Sequence, residues 1–248
     1  MIAAHLPALQ IIIPLLCAPF CLLLRWNWYV YGIALVASWA AFAVSIALLK
    51  LVLAGGPISY QLGGWAPPWG IEYVVDSVNA YVLLIVSAIG ALVITFGKQS
   101  VERELPIGKD GLFYTSYLLC LAGLLGVTIT GDAFNIFVFL EISSLSSYIL
   151  ISLGRQPMAL TAAYRYLVLG TIGATFYLIG VGLLYQATGT LNIADLAVRV
   201  AEVGDSRSVR ASFGFMTVGL GIKLALFPLH VWLPNAYAYA PSVSSAFL

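Results

Sequence analysis

The chain has 248 residues, of which 62% are hydrophobic and only 8% charged, with a formal net charge of +1 and a mean hydropathy of +1.01. Soluble domains carry about 25% charged residues, so this composition excludes an ordinary soluble domain and indicates an integral membrane protein. The near-neutral balance also excludes a nucleic-acid partner, leaving the lipid bilayer and the apolar surfaces of other membrane subunits.

A membrane-crossing helix needs about 20 mainly apolar residues. That rule divides the chain into seven spans, near 6–24, 28–53, 77–97, 112–130, 132–153, 160–188 and 211–238, with 242–248 opening an eighth. The expected fold class is therefore all-α integral membrane. No Lys, Arg, Asp or Glu occurs before Arg25, so the first apolar run lacks the basic flank of a cleaved leader and reads as a retained span. Cys17, Cys21 and Cys120 have no His or further Cys at metal spacing and read as small apolar core residues.

After the second span, 54–76 is rich in turn residues, with Gly55-Gly56-Pro57, Gly63-Gly64-Trp65 and Pro67-Pro68-Trp69-Gly70 around the alternation Ile58, Tyr60, Leu62. This predicts a small extracytoplasmic hairpin. Trp65, Trp69 and Tyr73 are expected at headgroup level, and Asp76 as the cap of the next helix. The segment 98–110 holds six charges and Pro106 and reads as a solvated loop. Loop charges favour an outside amino terminus: Arg25, Lys98, Arg103, Lys109 and Arg155 then face the cytoplasm, against Lys50, Arg199, Arg207 and Arg210 outside. Between the sixth and seventh spans, 190–210 predicts a short amphipathic helix starting near Asn192, with Leu191, Ile193, Leu196, Val198 and Val200 as its apolar contacts.

Ionisable groups inside the spans carry the functional information, because a lysine at the bilayer centre costs roughly 2.5 to 3.5 kcal/mol on an insertion scale. Lys223 is such a residue, and Glu141, near the middle of the fifth span, is its candidate partner. Ser144 and Tyr148 share a helical face with Glu141 and extend a polar stripe, whereas Ser143 and Ser147 read as close-packing positions. Asp132 stands at the entrance of the same helix, where capping competes with an entrance role. His230 follows Lys223 by seven residues, about 10 Å along an unbroken helix, but Pro228 and Pro234 interrupt the seventh span. Histidine titrates nearest neutrality, so His230 is a candidate for proton hand-over, or else satisfies carbonyls freed by the break. Arg165 keeps its proton in proteins; it can bias a neighbour electrostatically or snorkel to the cytoplasmic face. Gly170, Gly173, Gly180 and Gly182 read as packing positions on the sixth helix. Neither a glycine-rich cofactor loop nor a cysteine set is present, so no cofactor, metal or catalytic site is expected within the chain.

Two runs, Gly131-Asp132-Ala133-Phe134-Asn135 through Glu141 and Ser144, and Gly221-Ile222-Lys223 through Phe227-Pro228-Leu229-His230-Val231-Trp232-Leu233-Pro234 to Ala240-Pro241, together resemble the antiporter-like family. It comprises proton-conducting subunits of Mrp-type Na+/H+ antiporters, of respiratory complex I and of membrane-bound hydrogenases, and the likeness is to their amino-terminal half. The hairpin from Gly63 to Glu72 is also similar. The resemblance implies that Glu141 and Lys223 form the ion pair of the first proton-handling half, that His230 matches the histidine after the helix break, and that Arg165 stands where relatives often have lysine. Many complex I relatives read Leu-Pro-Asp-Ala-His where this chain has Leu233-Pro234-Asn235-Ala236-Tyr237, a neutral version associated with Mrp-type relatives.

The resemblance implies two regions: 1–111, three spans with the hairpin, and 112–248, a first antiporter-like repeat that stops as helix eight begins. It also implies the role of a D-type Mrp component in a hetero-oligomeric cation/proton antiporter of the bacterial inner membrane, moving protons and possibly Na+. The same module in a redox-driven pump, or a non-conducting scaffold, are the alternatives. The chain is expected to be a fragment or split product that does not conduct alone; proton flux in liposomes holding only this chain would contradict that.

Overall fold

The computed structural model describes residues 2–24, 27–204 and 206–248. Among the described residues, six helices are long and apolar enough to cross a membrane: α1 (Leu6–Leu23), α2 (Asn27–Gly55), α3 (Ser77–Glu104), α4 (Asp110–Ile129), α5 (Ala133–Ser152) and α6 (Pro157–Thr188). Between α2 and α3, strands β1 (Ile58–Gln61) and β2 (Glu72–Val75) pair antiparallel, with Ile58 opposite Val75 and Gln61 opposite Glu72. Four shorter helices follow α6: α7 (Ile193–Val203), α8 (Arg207–Lys223), α9 (Leu233–Tyr239) and α10 (Ser242–Phe247).

Helix α4 is the centre of the bundle. Phe113, Tyr117, Leu121 and Leu125 are fully buried, and Tyr117 donates its hydroxyl hydrogen to the Gly90 carbonyl of α3 at 2.6 Å. Its contact with α5 is close because Gly123 has no side chain: a Cβ there would lie 2.6 Å from the Ser143 backbone nitrogen. Ser147 meets Cys120 at 3.4 Å on the same seam. Across α1, α2 and α3 a buried polar line runs from Gln10 Nε2 to Ser45 Oγ at 2.8 Å, and Ser87 Oγ donates to the same Ser45 oxygen at 2.8 Å. In hydrocarbon surroundings such groups must find protein partners, so this line fixes the rotation of three helices that apolar packing alone would leave loosely defined.

Several expectations change. Helix α3 runs on to Glu104 through most of the supposed loop 98–110. Val101 gives that last turn a buried anchor, and the helix stops at Leu105, whose extended backbone (φ −89°, ψ 153°) is what a following proline demands. Lys98 is accordingly not a free loop charge: its ammonium lies 5.5 and 5.2 Å from the ring centres of Trp28 and Tyr31. Arg25, counted in the orientation argument, lies outside the described residues. Trp65 and Trp69 are exposed, but Tyr73 is buried between Tyr60 and Phe139, at ring distances of 6.5 and 6.4 Å. Its place in β2 turns it inward onto α5 instead of out to the headgroups. In α7, Leu196 packs inward while Ile193 and Val198 are exposed, so only part of the apolar set touches the protein.

The sixth helix holds α8 through glycines. A Cβ at Gly173 would come 3.0 Å from the Gly219 carbonyl, and one at Gly180 2.4 Å from Met216 Cγ. Gly170 faces Tyr148, whose hydroxyl a Cβ would meet at 2.0 Å. Gly182 is not a packing position: it is exposed, with nothing within 4 Å of its Cβ direction. The seventh span is two helices, α8 and α9, separated by the turns of 224–232. Pro234 falls at the start of α9, where a missing N–H removes no helical bond, and Pro228 lies in the gap.

Candidate functional site

Lys223 is the last residue of α8, where the carbonyl end of the helix dipole favours a cation. Its Nζ donates to Glu141 Oε1 at 3.1 Å and to Ser144 Oγ at 2.6 Å. The lysine side chain is 8% exposed and the glutamate 21%. Glu141 and Ser144 lie one turn apart on α5, so the ammonium bridges the two ends of that turn. Beside the pair is a cavity of about 590 Å³ that Lys223, Ser144, Ser147, Tyr166, Trp232 and Tyr237 line among mostly apolar neighbours. An amine and a hydroxyl facing a largely apolar space, with an acid bonded to the amine, can hold a proton and exchange it over short distances.

The other candidates are not gathered there. Asp132 caps α5, its Oδ1 accepting from the Asn135 N–H at 2.7 Å. It also forms an isolated bridge with Asn192, the residue whose Oδ1 caps α7 through the Asp195 N–H at 3.1 Å. His230 sits in the turns after α8, its ring 5.5 Å from that of Phe227. Its buried Nδ1 has no hydrogen-bond partner among the described residues. Arg165 is exposed and lines a separate cleft with Tyr164, Val168, Leu169 and Val231. Trp232 belongs to both that cleft and the Lys223 cavity, so its indole is the wall between them. Among the described residues no three His, Cys, Asp or Glu side chains come together as a metal set.

Two features escaped sequence reasoning. Tyr166 of α6 stacks on Trp232 with ring centres 3.8 Å apart and planes 3° from parallel, and meets Tyr148 edge-on at 4.6 Å. Glu72 of the hairpin ties three segments: its carbonyl accepts from the Gly131 N–H at 2.8 Å, its carboxylate from Asn192 Nδ2 at 3.0 Å and also from Ser59. The Ala133 N–H to Leu191 carbonyl bond (2.8 Å) and the Ile193 N–H to Gly131 carbonyl bond (2.9 Å) complete the clasp over the start of α5. These partners are far apart in the chain, and no local pattern announces them.

The family described as NADH:quinone oxidoreductase/Mrp antiporter, transmembrane, matches residues 130–248. That stretch is the second half of the chain, from the turn before α5 onward. All five candidate residues, Asp132, Glu141, Arg165, Lys223 and His230, fall inside the matched segment. Over 248 residues the chain is 45% identical to NADH-quinone oxidoreductase subunit N of Desulforudis audaxviator, covering 99% of this chain and 49% of that protein. It is 34% identical to the D component of the Na(+)/H(+) antiporter of Bacillus subtilis, covering 96% of this chain and 48% of the relative. Among solved structures, a chain of the archaeal membrane-bound sulfane sulfur reductase complex superposes with a TM-score of 0.91 at 32% identity, over 97% of this chain and 49% of that one. A chain of the Mrp complex from Dietzia gives 0.87 at 27% identity, over 100% and 46%. The chain thus spans about half the length of the relatives it matches.

Proposed function

We propose that this chain is a proton-translocating part of a multi-subunit membrane complex, with Glu141 and Lys223 as its working pair. The observation that carries the reading is the 3.1 Å contact between a partly exposed acid and an amine whose side chain is almost wholly buried. Separation is the switch. In contact, the carboxylate stabilises the ammonium; drawn apart by a small movement at the break after α8, the ammonium loses that support and gives up its proton. The break supplies a hinge of the kind that lines ion sites in transporters. On this reading 1–111 is a scaffold of three spans with the hairpin, and 112–248 the first antiporter-like repeat.

An Mrp-type monovalent cation/proton antiporter is the first assignment, supported by the likeness to the Bacillus antiporter component and by the neutral Asn235 and Tyr237. The same module in a redox-driven complex is the second, favoured by the higher identity to the NADH-quinone oxidoreductase relative. Both use the pair in the same way. Proton flux through the assembled complex carrying Glu141→Gln tests the shared claim: loss of flux is expected, and flux at the unaltered level would assign the pair a structural role only.

A further inference from the structure

The ring of contacts around the Lys223 cavity leads back to Lys223 by a second route. From the ammonium it passes to Ser144 on α5, one turn on to Tyr148, edge-on to Tyr166 of α6, face-to-face to Trp232, and from the indole Nε1–H to the Ile222 carbonyl at 2.9 Å. Ile222 is the residue before Lys223. Its carbonyl lies in the last turn of α8, where intrahelical donors run out. The Ala225 N–H, at a longer 3.2 Å, and the Leu224 N–H also reach it from the turn that follows. Trp232 is 6% exposed and stands next to the first residue of α9, so one side chain spans the break and grips the helix end that presents the lysine.

We propose that Trp232 is a positioning residue: clamped flat on Tyr166, its indole holds the end of α8 so that Lys223 stays on Glu141 and Ser144, and sliding of this stack lets the lysine leave. The inference rests on the pair reading above but concerns where the lysine head group sits, which can be measured without any transport. The stack supplies a rigid surface, the indole donor supplies direction, and Gly170 lets Tyr148 close the ring without a clash. A packing role alone would require only the ring's bulk, not its N–H.

The test is competitive labelling of the four lysines, Lys50, Lys98, Lys109 and Lys223, with a membrane-permeant amine reagent on the protein in lipid nanodiscs, read residue by residue by mass spectrometry. Trp232→Phe keeps an aromatic face for Tyr166 but deletes the donor. It is expected to speed labelling of Lys223 about five- to tenfold, the scale of one lost hydrogen bond, with Lys50, Lys98 and Lys109 unchanged. Tyr166→Leu, which keeps the donor and removes the clamp, is expected to act in the same direction. Tyr166→Phe keeps the stack and loses only the hydroxyl that interacts with Ser144, so it is expected to raise Lys223 labelling less than Tyr166→Leu does; an equal rise would overturn the clamp. Unchanged Lys223 labelling in Trp232→Phe would overturn the proposal, as would an equal rise at all four lysines, which is general loosening. Neither result touches the flux test on Glu141, so the two claims fail separately.

Discussion

Lys223 donates to two acceptors one helical turn apart, and the two are not equivalent when removed. Glu141→Gln leaves an almost buried ammonium without its counter-charge. Breaking one side of a buried pair typically costs 3–5 kcal/mol, and the partial exposure of Glu141 places this case at the low end, about 3 kcal/mol. Ser144→Ala removes a charge-assisted hydrogen bond and is expected to cost about 1.5 kcal/mol. Denaturant titration in mixed micelles measures both, and Glu141→Gln with Lys223→Gln together is expected to cost less than the two singles added, because each change removes the other's reason to destabilise. Strict additivity would mean that the contact contributes nothing. At this scale the sequence was legible where chemistry is rare: a lysine and a glutamate in apolar spans announce themselves by their cost. It was silent about Trp232 and Tyr166, because aromatic residues in a membrane helix are ordinary until their neighbours are known. It also could not separate Arg165 from the pair, since an intervening indole leaves no mark on spacing.

Helices α6 and α8 show how an element is held by what it lacks. At Gly219 a Cβ would stand 2.6 Å from the Gly173 carbonyl and 2.7 Å from the Tyr177 nitrogen, both backbone atoms that cannot swing aside. Gly219→Ala is therefore expected to push α8 off α6 and destabilise by about 1–3 kcal/mol, measured by thermal melting in nanodiscs. Gly182→Ala meets open space and is expected to be neutral or stabilising by up to about 1 kcal/mol, the helix-propensity difference. A reversed order of these two variants would contradict the packing described here. Period and length marked the long helices well, Asp76 and Asp132 gave two helix starts through their caps, and α7 begins beside Asn192, whose capping role only the structure revealed. The end of α3 was misread because charge was taken for solvation, although Val101 buries the last turn. The break after Lys223 was visible in Pro228 and Pro234, but not its extent, since turns without a proline also fill the gap.

Taken whole, the molecule is a multi-pass membrane bundle whose hairpin, α5 entrance and α7 are tied at one end by Glu72, Gly131 and Asn192. Composition made the membrane class plain. Handedness of insertion rests on a thin margin of loop charge and is open to direct labelling. With Cys17, Cys21 and Cys120 replaced, a cysteine at Ile107, fully exposed between α3 and α4, is expected to react with an impermeant thiol reagent from the cytoplasmic side. One at Trp69, 88% exposed in the hairpin, is expected to react from the outside; the opposite pattern would invert the orientation. The central claim needs the complete complex in liposomes and one substitution. Lys223→Arg keeps the positive charge beside Glu141 but cannot give up a proton. Proton flux under an imposed pH gradient is expected to fall at least about a hundredfold, the loss typical when a proton-transfer group is removed, while assembly is retained. Flux equal to that of the unaltered complex would take Lys223 out of the proton path.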